Sequence, residues 1–281
     1  MVGRSHPTNP IKAMADGAML PLIVFSVLLG VAITRIDGTH RASLLKVTQG
    51  VLDASLTLVG WVLLAAPLGV FALTVPLATR LGLAAAGAVL YYVISASLML
   101  LAFSGLLYVA AWIFGNVSPR AFARACAPAQ AVAVSARASL VTLPAMLQGA
   151  EVLGVPLPVR SFFLPLAAAM LRTGSAIMIP VGVLFMARLY GVELGAGQLA
   201  TIALMGIATT FSVPSIPGGT IIVMVPVLVA ADLPVAAIGL LLGVDTIPDM
   251  FRTATHVTAD MAAATILGRY ERASGAPQGQ R

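Results

Sequence analysis

The fold that the sequence predicts is all-α and membrane-embedded, with two re-entrant helical hairpins and a broken helix. Three observations predict it. First, 59% of the 281 residues are hydrophobic and 9% are charged, where a soluble domain carries roughly 25% charged residues. A soluble fold of this length cannot hide that much apolar surface, whereas lipid removes the need to hide it. Second, apolar runs long enough to span a bilayer recur along the chain. Third, turn-forming residues fall inside some of those runs rather than between them.

A spanning helix needs about 20 mostly apolar residues. Continuous runs occupy 18–34, 44–79, 82–114, 161–190 and 234–268. Two further apolar regions are broken. Region 121–149 is interrupted near Arg137-Ala138-Ser139, with Pro144 just beyond, and region 197–232 is interrupted from Ser212 to Gly219. Turn chemistry inside an apolar stretch reads as a hairpin that enters the membrane and returns. An ordinary loop between two short helices is the alternative. Irregular backbone at membrane depth is tolerated only where protein or a polar cavity satisfies its N–H and C=O groups. Two such segments in comparable positions point to a solute site. The run 161–190 is also interrupted, at Leu171-Arg172-Thr173-Gly174-Ser175. Arg172 lies about ten residues from either end of its run, too deep for easy snorkelling, so local unwinding is expected there.

The basic residues set an orientation. With the C-terminus cytoplasmic and each hairpin re-emerging on its own side, Arg35, Arg41, Lys46, Arg120, Arg124, Arg160, Arg269, Arg272 and Arg281 lie inside. Arg4, Lys12, Arg80 and Arg188 lie outside. That excess of inside cations supports the assignment.

Several function classes drop out. The single cysteine, Cys126, excludes an internal disulfide framework or a cysteine-based metal site. His6, His40 and His256 show no metal-ligand spacing. The net charge of +6 comes from residues scattered singly between apolar runs, which excludes nucleic acid, because tracking phosphates needs a contiguous basic surface. No Ser-His-Asp set or HExxH motif is present, so the chain reads as a binder and not an enzyme.

The strongest local signal is in the last apolar run. Asp245, Asp249, Arg252, His256 and Asp260 follow one another in steps of 4, 3, 4 and 4, which places them on one face of a helix. Each charge at the bilayer centre costs from about 2.5 to more than 10 kcal/mol, so the stripe must face protein or a wet cavity. One reading is a buried structural ion-pair network, with Asp249 and Arg252 bridged at i, i+3. The other is a site for a charged solute. Arg252 then takes a carboxylate, whose two oxygens its fork fits, and Asp249, one turn earlier, takes an ammonium. An α-amino acid with an acidic side chain offers both groups.

These segments resemble the dicarboxylate/amino-acid:cation symporters, the glutamate-transporter family. Arg137-Ala-Ser-Leu-Val-Thr-Leu-Pro144 is similar to the serine-rich tip of the family's first hairpin, which reads close to RSSSGTLP. Phe163-Leu-Pro-Leu166 followed by Arg172-Thr-Gly-Ser175 resembles the LPL…NMDGT helix. Ile216-Pro-Gly-Gly-Thr220 resembles the VPGAG tip of the second hairpin. Gly243-Val-Asp-Thr-Ile-Pro-Asp-Met-Phe-Arg-Thr253 with His256-Val-Thr-Ala-Asp260 tracks GID-x-x-x-DMGRT…NVTGD. Asn9-Pro10 also fits.

The resemblance implies an elevator-type transporter in the cell (inner) membrane. A mobile unit carries an acidic amino acid, aspartate or glutamate, past a fixed scaffold. By position, Arg252 matches the residue that reads the side-chain carboxylate and Asp249 the residue that reads the amino group. Thr253 and Ser175 match supporting hydroxyls, Arg137 and Ser139 the first-hairpin contacts, and Ile216, Pro217 and Gly218 the gate. His256 completes this set. Family members that carry dicarboxylates without an amino group lack the aspartate at position 249, so its presence argues for an amino acid.

The cation half of the pattern departs. The Asn and Asp of NMDGT are here Leu171 and Thr173, the Met between them is Arg172, and the last-helix Asn is His256. Sodium needs several hard oxygen ligands, and of the side-chain ligands Asp260 alone clearly remains. The expectation is that Arg172 acts as a tethered cation paired with Asp260 or Asp245, making transport sodium-independent, with H+ carried by His256 as the alternative coupling ion. Sodium at Asp260 is the remaining metal option, and no organic cofactor is expected. A transport-inactive remnant is the rival reading.

Matched to the family, residues 1–80 correspond to the end of the scaffold (its fourth and fifth helices). Residues 81–270 form the transport domain: helix 82–114, first hairpin 118–149, broken helix 160–190, second hairpin 196–232 and last helix 234–268. Residues 271–281 are a polar tail. Family members carry three further helices ahead of this point, with much of the scaffold of a homotrimer. The expectation is therefore a fragment, a truncated gene product or one half of a two-chain transporter.

Overall fold

The structure, a computed structural model, describes residues 9–15, 19–211, 213, 215–235 and 237–274. Arg4, His6, Ser212, Pro214 and residues 275–281, including Arg281, lie outside the described residues, as does the side chain of Arg80. Among the described residues every regular element is a helix. The chain divides into two compact units, Met1–Phe71 and Ala72–Arg281.

The first unit holds α1 (Pro10–Ala15), α2 (Met19–Arg35) and the opening of α3 (Gly38–Gly115). Asn9 caps α1 by accepting the Lys12 amide at 2.7 Å, and Asp37 opens α3 by accepting the Thr39 amide at 2.9 Å, side-chain acceptors satisfying donors that a helix start leaves free. α3 is continuous where the apolar runs 44–79 and 82–114 suggest two helices. The stretch between those runs, Arg80-Leu81-Gly82, holds no proline. A lone glycine costs a helix only about 1 kcal/mol.

The second unit contains the rest of α3 and all that follows. Ser118 accepts the Ala121 amide at 3.3 Å with Pro119 at the first position, and so starts α4 (Pro119–Ala136). Arg137 ends it in a left-handed conformation, φ 51°. A short 3-10 turn, Ser139–Thr142, leads into α5 (Leu143–Val152). A π-helical stretch, Val159–Phe163, precedes α6 (Leu164–Met170). Leu171 is extended and Arg172 caps α7 (Thr173–Leu189), so the expected interruption is present but confined to 171–172. α8 (Ala196–Thr210) is followed by irregular chain and then α9 (Gly219–Val223) and α10 (Val225–Ala230).

The last apolar run is also split, into α11 (Ala237–Val244) and α12 (Thr246–Ala273). Pro248 has no N–H to give the carbonyl four residues back, and its ring crowds that group. The helix therefore breaks, and Asp245 sits at the joint instead of inside one continuous helix.

Two apolar cores flank α12. One gathers Tyr92, Leu100, Met178, Met186, Ile221 and Leu241. The other gathers Phe122, Cys126, Met146, Leu164, Val257 and Met261. On α4, buried Ala125, Ala129 and Ala133 recur every fourth residue, and such a stripe of small side chains lets helices approach closely. The far end is tied down by Arg269, which donates to the carbonyls of Ile113 and Phe114 at 3.2 and 3.0 Å. This satisfies the last turn of α3. Two stretches of this unit, Gly87–Gly115 and Val159–Leu189, are long and apolar enough to cross a membrane.

Candidate functional site

The charged stripe of α12 is buried, and the two halves of the second unit close over it. Arg252 is 1% exposed. Its guanidinium donates to both oxygens of Asp245, at 3.0 and 2.7 Å, and to Oδ1 of Asp249. The bidentate fork on Asp245 is the strong geometry for this pair. Two carboxylates thus hold one buried cation. The i, i+3 bridge between Asp249 and Arg252 considered from the sequence is formed, with Asp245 as a second partner at i−7.

The other oxygen of Asp249 faces the interrupted segments. It accepts the backbone amide of Gly218 at 3.2 Å, and the Arg137 guanidinium stands 4.0 Å away. Gly218 presents that amide from a left-handed conformation, φ 72°, which glycine reaches without steric cost. The two segments also touch each other. Ser139 and Ser215 share a hydroxyl contact at 3.3 Å, and the Leu140 amide donates to Ser215 Oγ at 3.2 Å.

The start of α7 forms the third wall. The Gly174 amide donates to His256 Nδ1 at 3.0 Å, so an imidazole caps a helix whose own flank supplies no side-chain cap. A Cβ at position 174 would stand 2.8 Å from the Arg252 carbonyl oxygen, so only glycine allows this approach. Ser175 Oγ lies 2.7 Å from Thr220 Oγ1 and 3.4 Å from His256 Nε2. Thr253 donates its hydroxyl to the Asp249 carbonyl at 2.8 Å.

A cavity lies where these elements meet. Arg137, Ser139, Arg172, Ile216, Asp249, Arg252, Thr253 and His256, all expected from the sequence, line it. Gly218 and Ser175 reach it through their bonds to lining residues, while Asp245 stands behind Arg252. Pro217, Asp245 and Asp260 do not line it. Sequence reasoning did not assign Val213, Ser215 or Thr220, which also line it. The hydroxyls of Ser215 and Thr220, beside the glycines of an interrupted segment, were the legible signal for two of them.

Three expectations need correction. The cavity measures about 20 Å³, room for about one water, so the row does not face a solute-sized chamber in this conformation. Arg172 forms no ion pair with Asp260 or Asp245. Its guanidinium donates to Ser139 Oγ, to the Ala169 carbonyl at 3.3 Å and to the Val213 carbonyl at 3.4 Å. Asp260, 1% exposed, has no hydrogen-bond partner for either oxygen among the described residues. Finally, His256 spends Nδ1 as an acceptor for Gly174. A proton placed there would break the cap, so the ring is a structural acceptor first and not a free proton carrier.

Comparison with known proteins agrees on kinship. A family model described as the sodium:dicarboxylate symporter family matches residues 1–270. The proton/glutamate-aspartate symporter of Escherichia coli (strain K12) is 29% identical over 271 residues, which are 94% of this chain and 61% of that protein. The proton/sodium-glutamate symport protein of Bacillus caldotenax is 28% identical over 94% of this chain and 63% of its own length. Neutral amino acid transporter A of Homo sapiens is 30% identical over 94% of this chain and 50% of its own length. The chain thus spans about half to two thirds of the length of these relatives.

Proposed function

Because the chain belongs to the sodium:dicarboxylate symporter family, we propose that it is the substrate-carrying part of a secondary transporter for an acidic amino acid. One observation carries this reading: the Asp249 carboxylate is shared by Arg252, Arg137 and the Gly218 amide. The final helix and both interrupted segments therefore converge on the group suited to an ammonium. A substrate ammonium competes with these donors for Asp249. A substrate side-chain carboxylate competes with Asp245 for the Arg252 fork. Binding then requires the Ser139–Ser215 contact to part, with Ile216, Pro217 and Gly218 as the gate.

Sodium independence follows from Arg172, whose fixed charge sits between Ser139 and the Ala169 and Val213 carbonyls. Hard oxygens of this kind are what a sodium ion would seek. Elevator movement in the cell (inner) membrane, against a scaffold shared in a homotrimer, completes the proposal.

The Arg252–Asp245 fork and the small cavity favour a second reading, in which the row is a structural ion-pair network and the protein is inactive in transport. Isothermal titration of aspartate into the purified 281-residue chain separates the two. Under the first reading aspartate binds, and its affinity changes by less than about threefold when choline replaces sodium, a difference of under 1 kcal/mol. Absence of binding supports the second. A sodium requirement removes the role given to Arg172 but leaves the binding site standing. Counterflow in liposomes then tests movement.

A further inference from the structure

A second concavity lies between α3 and α7, and the substrate reading does not use it. Its volume is about 590 Å³, within the range of sites that hold a small organic ligand. One wall is a single face of α3, with Gly87, Tyr91, Ser95 and Met99 spaced every fourth residue. The other is a single face of α7, with Val181, Leu184 and Arg188. Tyr92 stacks on Phe185 at its floor, with ring centroids 4.7 Å apart.

The groove has a defined mouth. Thr255 of α12 bonds to Ser104 at 3.0 Å, and its neighbour His256 holds Gly174. These contacts fix the C-terminal part of α3 and the start of α7 at one level. From there α3 runs back to Gly87 and α7 runs forward to Arg188, so both reach the same outer end. At 1.5 Å per residue, Gly87 to Met99 spans about 18 Å. One leaflet of a bilayer's hydrocarbon core is about 15 Å deep. Tyr91 and Leu184 on the walls are 63% and 39% exposed. The Arg188 side chain is exposed, and its guanidinium makes no hydrogen bond or ion pair among the described residues.

We propose that this groove is a binding site for an anionic phospholipid, with one acyl chain between α3 and α7 and the phosphate on Arg188. An apolar slot one leaflet deep suits a fatty chain. An unpaired guanidinium at its mouth suits a phosphate, which it grips through two parallel N–H bonds. Arg188 also sits in the last turn of α7, where a cation is favoured beside the helix carbonyls and is held ready for an anion. The site is separate from the Arg252 cavity and shares no lining residue with it. It rests on the chain lying in a bilayer and not on which solute the chain carries.

Native mass spectrometry of the detergent-solubilised chain tests the proposal, with phosphatidylglycerol and phosphatidylcholine of matched acyl chains as probes. The wild type is expected to retain phosphatidylglycerol about tenfold better, the scale of one charge-assisted contact. Arg188→Gln is expected to abolish that preference without changing phosphatidylcholine retention, and Arg188→Lys to keep most of it. Ala88→Trp, which fills the slot, is expected to lower retention of both lipids. Equal retention of the two lipids by the wild type overturns the proposal, as does an unchanged preference in Arg188→Gln. Competition by glycerophosphoglycerol, the headgroup without acyl chains, at equal concentration also overturns it and leaves a bare phosphate site. Copurification of a second polypeptide that excludes both lipids makes the groove a helix-docking face instead. Helix content by circular dichroism separates lost binding from lost fold, and the headgroup competition decides the matter on the wild type alone.

Discussion

His256 Nδ1 accepts the backbone amide of Gly174 at 3.0 Å, joining residues 82 positions apart in the chain. The bond sets the start of α7 against the middle of α12, and thereby sets the distance between the two walls of the cavity. His256→Ala leaves the Gly174 amide buried without an acceptor, at a cost of about 1–3 kcal/mol. His256→Asn offers an amide oxygen near the position of Nδ1 and is expected to recover most of that loss. Thermal unfolding in detergent measures both. Equal melting temperatures for His256→Ala and wild type would show that the cap contributes nothing.

Arg252→Cys is expected to abolish aspartate binding, because no cation remains for the second carboxylate, and to admit neutral amino acids. It also leaves Asp245 buried and unpaired and strips Asp249 of its closer cation, so that Asp249 keeps only Gly218 and Arg137, a loss of about 3–5 kcal/mol. Adding Asp245→Asn removes the stranded charge and is expected to restore about half of that stability while leaving aspartate binding absent. Calorimetric titration and unfolding of the single and double variants separate the role in recognition from the role in folding. Unchanged aspartate affinity in Arg252→Cys would remove Arg252 from the substrate site.

Asp249→Ser is expected to weaken aspartate more than succinate, by about tenfold or 1.4 kcal/mol, since only the amino acid has an ammonium to lose. Competition binding with the two ligands gives the ratio. Equal losses would mean that Asp249 acts on the Arg252 fork and not on the substrate.

Arg172→Met strips Ser139 of its charged donor and leaves the Ala169 and Val213 carbonyls without that partner. Aspartate affinity in choline buffer is expected to fall at least tenfold. Sodium is expected not to restore it, because Leu171 brings no side-chain oxygen and Thr173 only a neutral hydroxyl where a hard cation favours carboxylate and amide oxygens. Full recovery in sodium would show that a competent sodium site is present after all.

Gly174→Ala places a methyl group 2.8 Å from the Arg252 carbonyl and 3.1 Å from its Cγ. Backbone cannot yield as a flexible side chain would, so a loss of about 1–3 kcal/mol is expected, together with weaker aspartate binding. Unfolding and titration on the same sample test the two together.

The sequence alone determined the helical, membrane-embedded class, the breaks near 137 and 171, and the stripe from Asp245 to Asp260. Each of these follows from local physics. Too few charged residues exist for a soluble surface, the hydroxyl residues and glycine beside Arg137 and Arg172 weaken a helix locally, and a helix of 3.6 residues per turn aligns every third or fourth side chain. What the stripe does with its charges was decided only by the tertiary structure. Periodicity put Asp245 and Arg252 on one face, but the break before Pro248 let the Asp245 carboxylate turn onto the Arg252 fork. Which partners Arg172 takes depended on how close Ser139 and the Val213 carbonyl come, and those contacts span 33 and 41 residues of chain. Pairings of that reach are fixed by which surfaces pack together, and no window of sequence contains both halves.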